Sequence, residues 1–110
     1  MQPNPKPLSI DPQDLHRHAS EATRLLKGLA NENRLMILCL LAEGELSVHD
    51  INERIRLSQS ALSQHLAVLR TEGFVITRRK SQVIYYSLAD GPAVALIKLL
   101  HDLYCTKRDD

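Results

Sequence analysis

Apolar residues in the first third of the chain recur at helical spacing. Leu15, Ala19, Ala22, Leu25, Leu26 and Leu29 form one stripe of "IDPQDLHRHASEATRLLKGLA". Asp11 stands before them as an N-cap and Pro12 as a first helical residue, so the spacing predicts a helix over about 12–29. Asn31 caps a second helix, "ENRLMILCLLAE", which Gly44 stops. It is apolar nearly all round and is expected to be the buried central helix. Ser47 with Asp50 three residues on is a capping box opening a short third helix in "SVHDINERI". "LSQSALSQHLAVLRTEG" repeats this logic, with Ser58 as cap and Gly73 as terminator.

The period then changes. "FVITRRK" and "VIYYSLA" are β-branched and aromatic, and the polar "RRKSQ" joins them, which predicts a β-hairpin with a basic tip. Asp90, Gly91 and Pro92 begin a last helix running to about Tyr104. The predicted order is α-α-α-α-β-β-α, mainly α with a small hairpin. A short helix, a tight link and a longer helix make a helix-turn-helix, and the hairpin after it makes a wing.

Length and composition agree with one small domain. The 110 residues divide into an N-terminal arm (1–10), a winged-helix body (11–105) and a short tail (106–110). With four aromatics and no Trp, the core must be aliphatic. The longest apolar run, Leu35–Ala42, falls far short of a membrane span, and the Pro-rich start lacks an apolar signal region. A cytoplasmic protein with no membrane association is expected, and a structural disulfide between its two thiols is not. No Gly-rich phosphate loop, paired-carboxylate motif or Ser/His/Asp arrangement suggests an enzyme, and no cofactor is implied.

The net charge is only +1, but it is unevenly spread. Residues 54–82 hold six cations against the single acid Glu72, while the rest of the chain holds eight against twelve. A positive sector on a near-neutral protein points to a polyanion. On a helical wheel of the fourth helix, Leu62, Leu66 and Leu69 share the core side. Ser60, Gln64 and Ala67 lie opposite, with Ser63 beside them and Gln59 in the first turn. Short uncharged donors and acceptors suit base edges in a major groove, whereas an ordinary solvated face carries Glu and Lys. Arg78, Arg79 and Lys80, just beyond, are placed to meet phosphates or a minor groove. A DNA-independent interaction module on the same scaffold remains the alternative from another class.

The stretch from "KGLANENRLMIL" through "LSQSALSQHLAVLRTEGFV" to "VIYYSL" resembles the ArsR/SmtB family of bacterial winged-helix repressors over nearly the whole chain. The resemblance implies a homodimer formed by the first and last helices. It would bind an inverted repeat in double-stranded operator DNA and be released by an effector. It also places Gln59, Ser60, Ser63 and Gln64 at the family's base-reading positions.

Many family members sense metals, and the resemblance allows their ligand positions to be checked. A Cys-Val-Cys motif at the third helix is replaced by "ELSVHDI". On the last helix Asp90 and His101 remain, but Pro92 and Leu103 stand where histidines are expected. His16 and His18 are two apart and lie on different helix faces, a poor chelate; His49 and His65 read as structural. No metal site is therefore assigned, although Cys39, His101 and Cys105 together form an alternative set.

The two cysteines remain. Alone, Cys39 in an apolar helix reads as a small hydrophobe, while Cys105 closes "LLHDLYC" before the charged tail. The sequence resembles one branch of the family, containing the BigR, SqrR and HlyU-like regulators. That branch has a cysteine in the second helix and another at the end of the last. By that resemblance, Cys39 and Cys105 are a dithiol switch answering to reactive sulfur species or oxidants. His101, Lys107 and Arg108 would partly offset the helix C-terminal field at Cys105, which makes it the expected first point of attack.

Overall fold

The computed structural model describes residues 11–104, so the arm (1–10) and the stretch 105–110, Cys105 included, lie outside the described residues. The elements are α1 (Pro12–Leu29), α2 (Glu32–Leu41), β1 (Leu46–Ser47), α3 (Val48–Arg54), α4 (Gln59–Thr71), β2 (Val75–Lys80), β3 (Val83–Leu88) and α5 (Pro92–Tyr104).

The first four helices begin where their caps dictate. Asp11 Oδ1 accepts from the Gln13 amide at 2.8 Å, and Asn31 Oδ1 accepts from that of Arg34 at 3.0 Å. Ser47 and Asp50 close the full capping box: the Asp50 amide donates to Ser47 Oγ at 3.1 Å and the Ser47 amide to Asp50 Oδ2 at 3.2 Å. Ser58 Oγ accepts from the Ala61 amide at 3.1 Å. These side chains satisfy amides that the first helical turn leaves without intrahelical acceptors. At the other end of α4, Gly73 takes φ +77°. The Phe74 amide then reaches back to the Leu69 carbonyl (2.9 Å) and the Gly73 amide to that of Arg70 (3.1 Å), a Schellman closure. That turn sends the chain directly into β2.

One element is missing from the predicted order. β1 pairs antiparallel with β3, Leu46 opposite Tyr86 and Ser47 opposite Tyr85, giving a sheet of order β1-β3-β2. Two residues are too few for a period to show, and only the ladder partner reveals them. The wing also differs in detail. Pairing in the hairpin continues to Lys80 opposite Val83, leaving Ser81 and Gln82 for the turn. The three cations expected at the tip therefore stand in β2, and Ser81 takes the left-handed φ of +58° that a two-residue turn demands.

The core is aliphatic, as the composition requires. Ile37, Leu38, Ile51, Leu62, Leu69 and Ile97 are almost wholly buried, with Phe74 and Tyr86 closing its sides. A fully buried side chain of this kind contributes about 1.5–3 kcal/mol from removal of apolar area. α2 is central but not enclosed: Ile37, Leu38 and Leu41 are buried while Met36 is exposed and Cys39 and Leu40 are half-buried. α1 departs further from its predicted stripe. Only Gly28 and Leu29 are buried, Leu25 packs at the edge, and Leu15 and Leu26 are more than half exposed. On α5, Ala93 and Ile97 face the core, while Leu99, Leu103 and Tyr104 remain exposed.

Candidate nucleic-acid interface

α3 and α4 meet through the short link around Leu57, and the core fixes the rotation of α4. Leu62, Leu66 and Leu69 are each no more than 3% exposed. Holding three leucines at i, i+4 and i+7 in the core leaves a single orientation for the opposite face. That face carries Ser60, Gln64 and Ala67, with Ser63 beside them and Gln59 in the first turn, all exposed. The structure thus brings the four base-reading candidates together on one uncharged surface. His65 sits at its margin, half-buried. Ser58 Oγ and Ser60 Oγ lie 3.4 Å apart at the helix start.

A surface hollow of about 510 Å³ lies between the C-terminal half of α4 and β3, lined by Ser63, Ala67, Arg70, Thr71 and Tyr86. Arg70 adds a cation beside this uncharged face. The wing cations are not equivalent. Arg79 and Lys80 are exposed. Arg78 is engaged: its Nε donates to Glu45 Oε2 at 2.8 Å and its Nη2 to Glu45 Oε1 at 2.7 Å. Its guanidinium also stands 4.8 Å from the centre of the Tyr85 ring, a cation–π arrangement with its cross-strand neighbour. The hydrogen bonds and charge of Arg78 hold the Glu45 carboxyl below the usual carboxylate range, and Glu45 in turn raises Arg78. No feature of "AEGELS" marks Glu45 as this partner; the two residues are 33 apart in sequence. Glu72, the one acid of the basic sector, is likewise occupied, accepting from Arg24 Nε at 3.0 Å.

The thiol candidate Cys39 lies on the open side of α2. It lines a cleft of about 290 Å³ together with Met36, Leu40, Glu43, Arg54, Ile55 and His101. His101 Nε2 is 2.9 Å from Glu43 Oε2, which joins α5 to the turn after α2, and the His101 side chain is 20% exposed. The proposed partner thiol, Cys105, is outside the described residues. Among the described residues no group of three or more His, Cys, Asp or Glu side chains is arranged to hold a metal ion. None of the described helices is long and apolar enough to cross a membrane.

Residues 31–77 match the model of the bacterial regulatory proteins of the arsR family. The chain is 50% identical over 93 residues to the transcriptional activator HlyU of Vibrio cholerae, covering 84% of this chain and 86% of that protein. It is 41% identical over 95 residues to the biofilm growth-associated repressor of Xylella fastidiosa, covering 86% and 83%. Among solved structures, reduced HlyU from Vibrio cholerae superposes with a TM-score of 0.81 at 50% identity, over 86% of this chain and 99% of that one. The repressor BigR from Xylella fastidiosa does so with a TM-score of 0.83 at 39% identity, over 90% and 100%.

Proposed function

The chain belongs to the arsR family of bacterial transcriptional regulators, and on that premise we propose a homodimeric operator-binding repressor that is switched at a Cys39–Cys105 dithiol. The α4 face carries this reading: three buried leucines turn Ser60 and Gln64 outward with Ser63 beside them, and Gln59 is exposed in the first turn. In a major groove, Gln64 can pair with both hydrogen-bonding positions of an adenine edge, and the serines are short enough to permit close approach. Arg79, Lys80 and, after exchange of its Glu45 partner, Arg78 contact phosphates or the adjacent minor groove. Two such units read half-sites about 34 Å apart on one face of the duplex.

The dimer buries the apolar surfaces left by α1 and α5: Leu15 and Leu26 on the one, Leu99, Leu103 and Tyr104 on the other. Cys39 stands on the helix beneath α5, so a covalent link from it to Cys105 ties the core to the dimerising helix. The link changes the spacing of the two α4 helices against the DNA. A coupling of about 1–3 kcal/mol weakens operator binding roughly 5- to 150-fold. The linking chemistry is sulfur transfer or oxidation at one thiol, followed by attack of the other to close a disulfide or polysulfide bridge. One relative is named an activator and another a repressor; repression is proposed here because occlusion of a promoter requires only binding.

Gel shifts on the chain's own promoter duplex, with and without polysulfide, test the reading. Cys39→Ser and Cys105→Ser proteins are expected to bind the duplex as tightly as the unmodified chain and to stay bound when polysulfide is added. Normal release by either variant would overturn the paired-thiol switch, and affinity indifferent to salt would overturn the DNA-binding surface itself.

A further inference from the structure

The hollow between α4 and β3 borders the reading face, yet neither the base-reading side chains nor the wing cations account for its lining. That lining holds one cation and no acid: Ser63, Ala67, Arg70 and Thr71 come from α4 and Tyr86 from β3. Glu72, the acid next to Thr71 in the chain, turns to the α1 side, where it accepts from Arg24. Among the described residues no side-chain hydrogen bond or ion pair engages Arg70, Thr71 or Tyr86. The Tyr86 ring is 8% exposed and packs in the core, but its hydroxyl is not a buried oxygen without a partner. The oxygen therefore opens into the hollow that the residue lines, a polar tip on an apolar body. The hairpin register places a second cation on the same side. Arg79 stands opposite Ile84 and Thr77 opposite Tyr86, so these four share the sheet face that packs towards the helices. Arg78 and Lys80, opposite Tyr85 and Val83, belong to the other face.

With α4 in a major groove and the hairpin tip at the neighbouring minor groove, one sugar-phosphate strand runs between them, across this hollow. We propose that the hollow is a seat for a single phosphodiester of that strand. Arg70 supplies the charge, and the hydroxyls of Thr71 and Tyr86 donate to the phosphate oxygens. Arg79, on the same sheet face nearer the tip, meets the next phosphate along. The proposal rests on the α4 reading face described above and adds three residues to it, Arg70, Thr71 and Tyr86. A phosphate held by both a helix and a strand of the core cannot slide along the duplex without breaking contacts on one side. The seat therefore fixes how deep α4 enters the groove and which base pairs Gln64 meets, while carrying no sequence preference of its own. Ser63 stands where the hollow meets the reading face, so the seated phosphate belongs to the strand flanking the bases that are read.

The experiment is ethylation interference on the chain's own promoter duplex, in which an ethyl group removes the charge of one phosphate at a time. The full-length chain is compared with Arg70→Ala, Arg70→Lys and Tyr86→Phe, the last of which removes only the hydroxyl and keeps the ring in the core. One phosphate in each half-site is expected to interfere with the unmodified chain and to lose that interference in Arg70→Ala. It should border the base pairs whose preference changes in Gln64→Ala. A duplex with a neutral methylphosphonate at that position should bind the unmodified chain roughly three- to tenfold more weakly and bind Arg70→Ala no worse than the ordinary duplex does. Arg70→Lys should regain much of the interference, and Tyr86→Phe should weaken it at the same phosphate. An interference pattern identical in Arg70→Ala and the unmodified chain overturns the seat, even if overall affinity falls. Loss of interference at a phosphate remote from the Gln64 base pairs overturns it as well. Failure of the unmodified chain to bind the duplex, with no phosphate interfering, would instead overturn the DNA-reading face on which the proposal rests.

Discussion

Arg78 and Glu45 form a two-pronged ion pair, with nitrogen–oxygen distances of 2.7 and 2.8 Å, between β2 and the segment leading into β1. The wing's first cation therefore enters any complex already partnered. To reach a phosphate it must exchange one carboxylate for another anion, although it is exposed like Arg79 and Lys80 on the same strand.

The wing cations should accordingly differ in a salt titration of operator binding. Arg79→Ala is expected to weaken binding across sequences and to reduce the slope of log affinity against log salt by about 0.9, the value of one phosphate contact. Arg78→Ala should change the slope less, and Glu45→Gln, which releases Arg78, should raise affinity. Gln64→Ala, in contrast, should alter which sequence is preferred while leaving the slope intact. Equal effects of Arg78→Ala and Arg79→Ala would show that the Glu45 partner does not set Arg78 apart from Arg79.

Acid should destabilise the fold through two identified carboxylates. Glu45 is held low by its hydrogen bonds to Arg78, and Asp50 by those from Ser47. A carboxylate whose pKa is lower in the folded chain stabilises above its unfolded value, about 4, and that contribution is lost as pH falls through the folded value. Urea midpoints should therefore decline from about pH 4.5 downward. Glu45→Gln and Asp50→Ala are each expected to flatten the decline; unaltered acid limbs in both would remove these two groups as its cause.

Gly28 marks a contact between α1 and the start of the wing. A Cβ there would lie 2.5 Å from Phe74 Cε2 and 2.7 Å from Cζ, and the ring is itself buried. Gly28→Ala is expected to cost about 1–3 kcal/mol by overpacking, despite alanine's better helix propensity. In thermal unfolding, Phe74→Leu should recover part of that loss in the double variant; strictly additive losses would argue that the two sites are independent.

The exposed leucines of α1 and α5 should be needed for self-association. Leu26→Glu or Leu103→Glu places a charge in the proposed subunit contact and should weaken the dimer at least about thirtyfold, corresponding to about 2 kcal/mol. Sedimentation would report monomers and gel shifts would report lost operator binding, while circular dichroism stays unchanged. A dimer of normal strength in both variants would move the interface elsewhere.

Much of this molecule is written locally in the chain. Caps at Asp11, Asn31, Ser47 and Ser58, and the stop at Gly73, act within five residues and so appear in sequence as they do in space. The opposition of Leu62, Leu66 and Leu69 to Ser60 and Gln64, with Ser63 beside them, follows from helical geometry alone, and with it most of the surface proposed to read DNA. What only the tertiary structure decided depends on partners distant in sequence. β1 exists because β3 is beside it, Glu45 claims Arg78 across 33 residues, and Glu43 meets His101 across 58. The apolar ring of α2 suggested full enclosure, yet the packing of α3 and α5 leaves a cleft on the side of Met36 and Cys39. Periodicity states that a residue is apolar. Which neighbour covers it, and whether any does, is settled by how the elements dock.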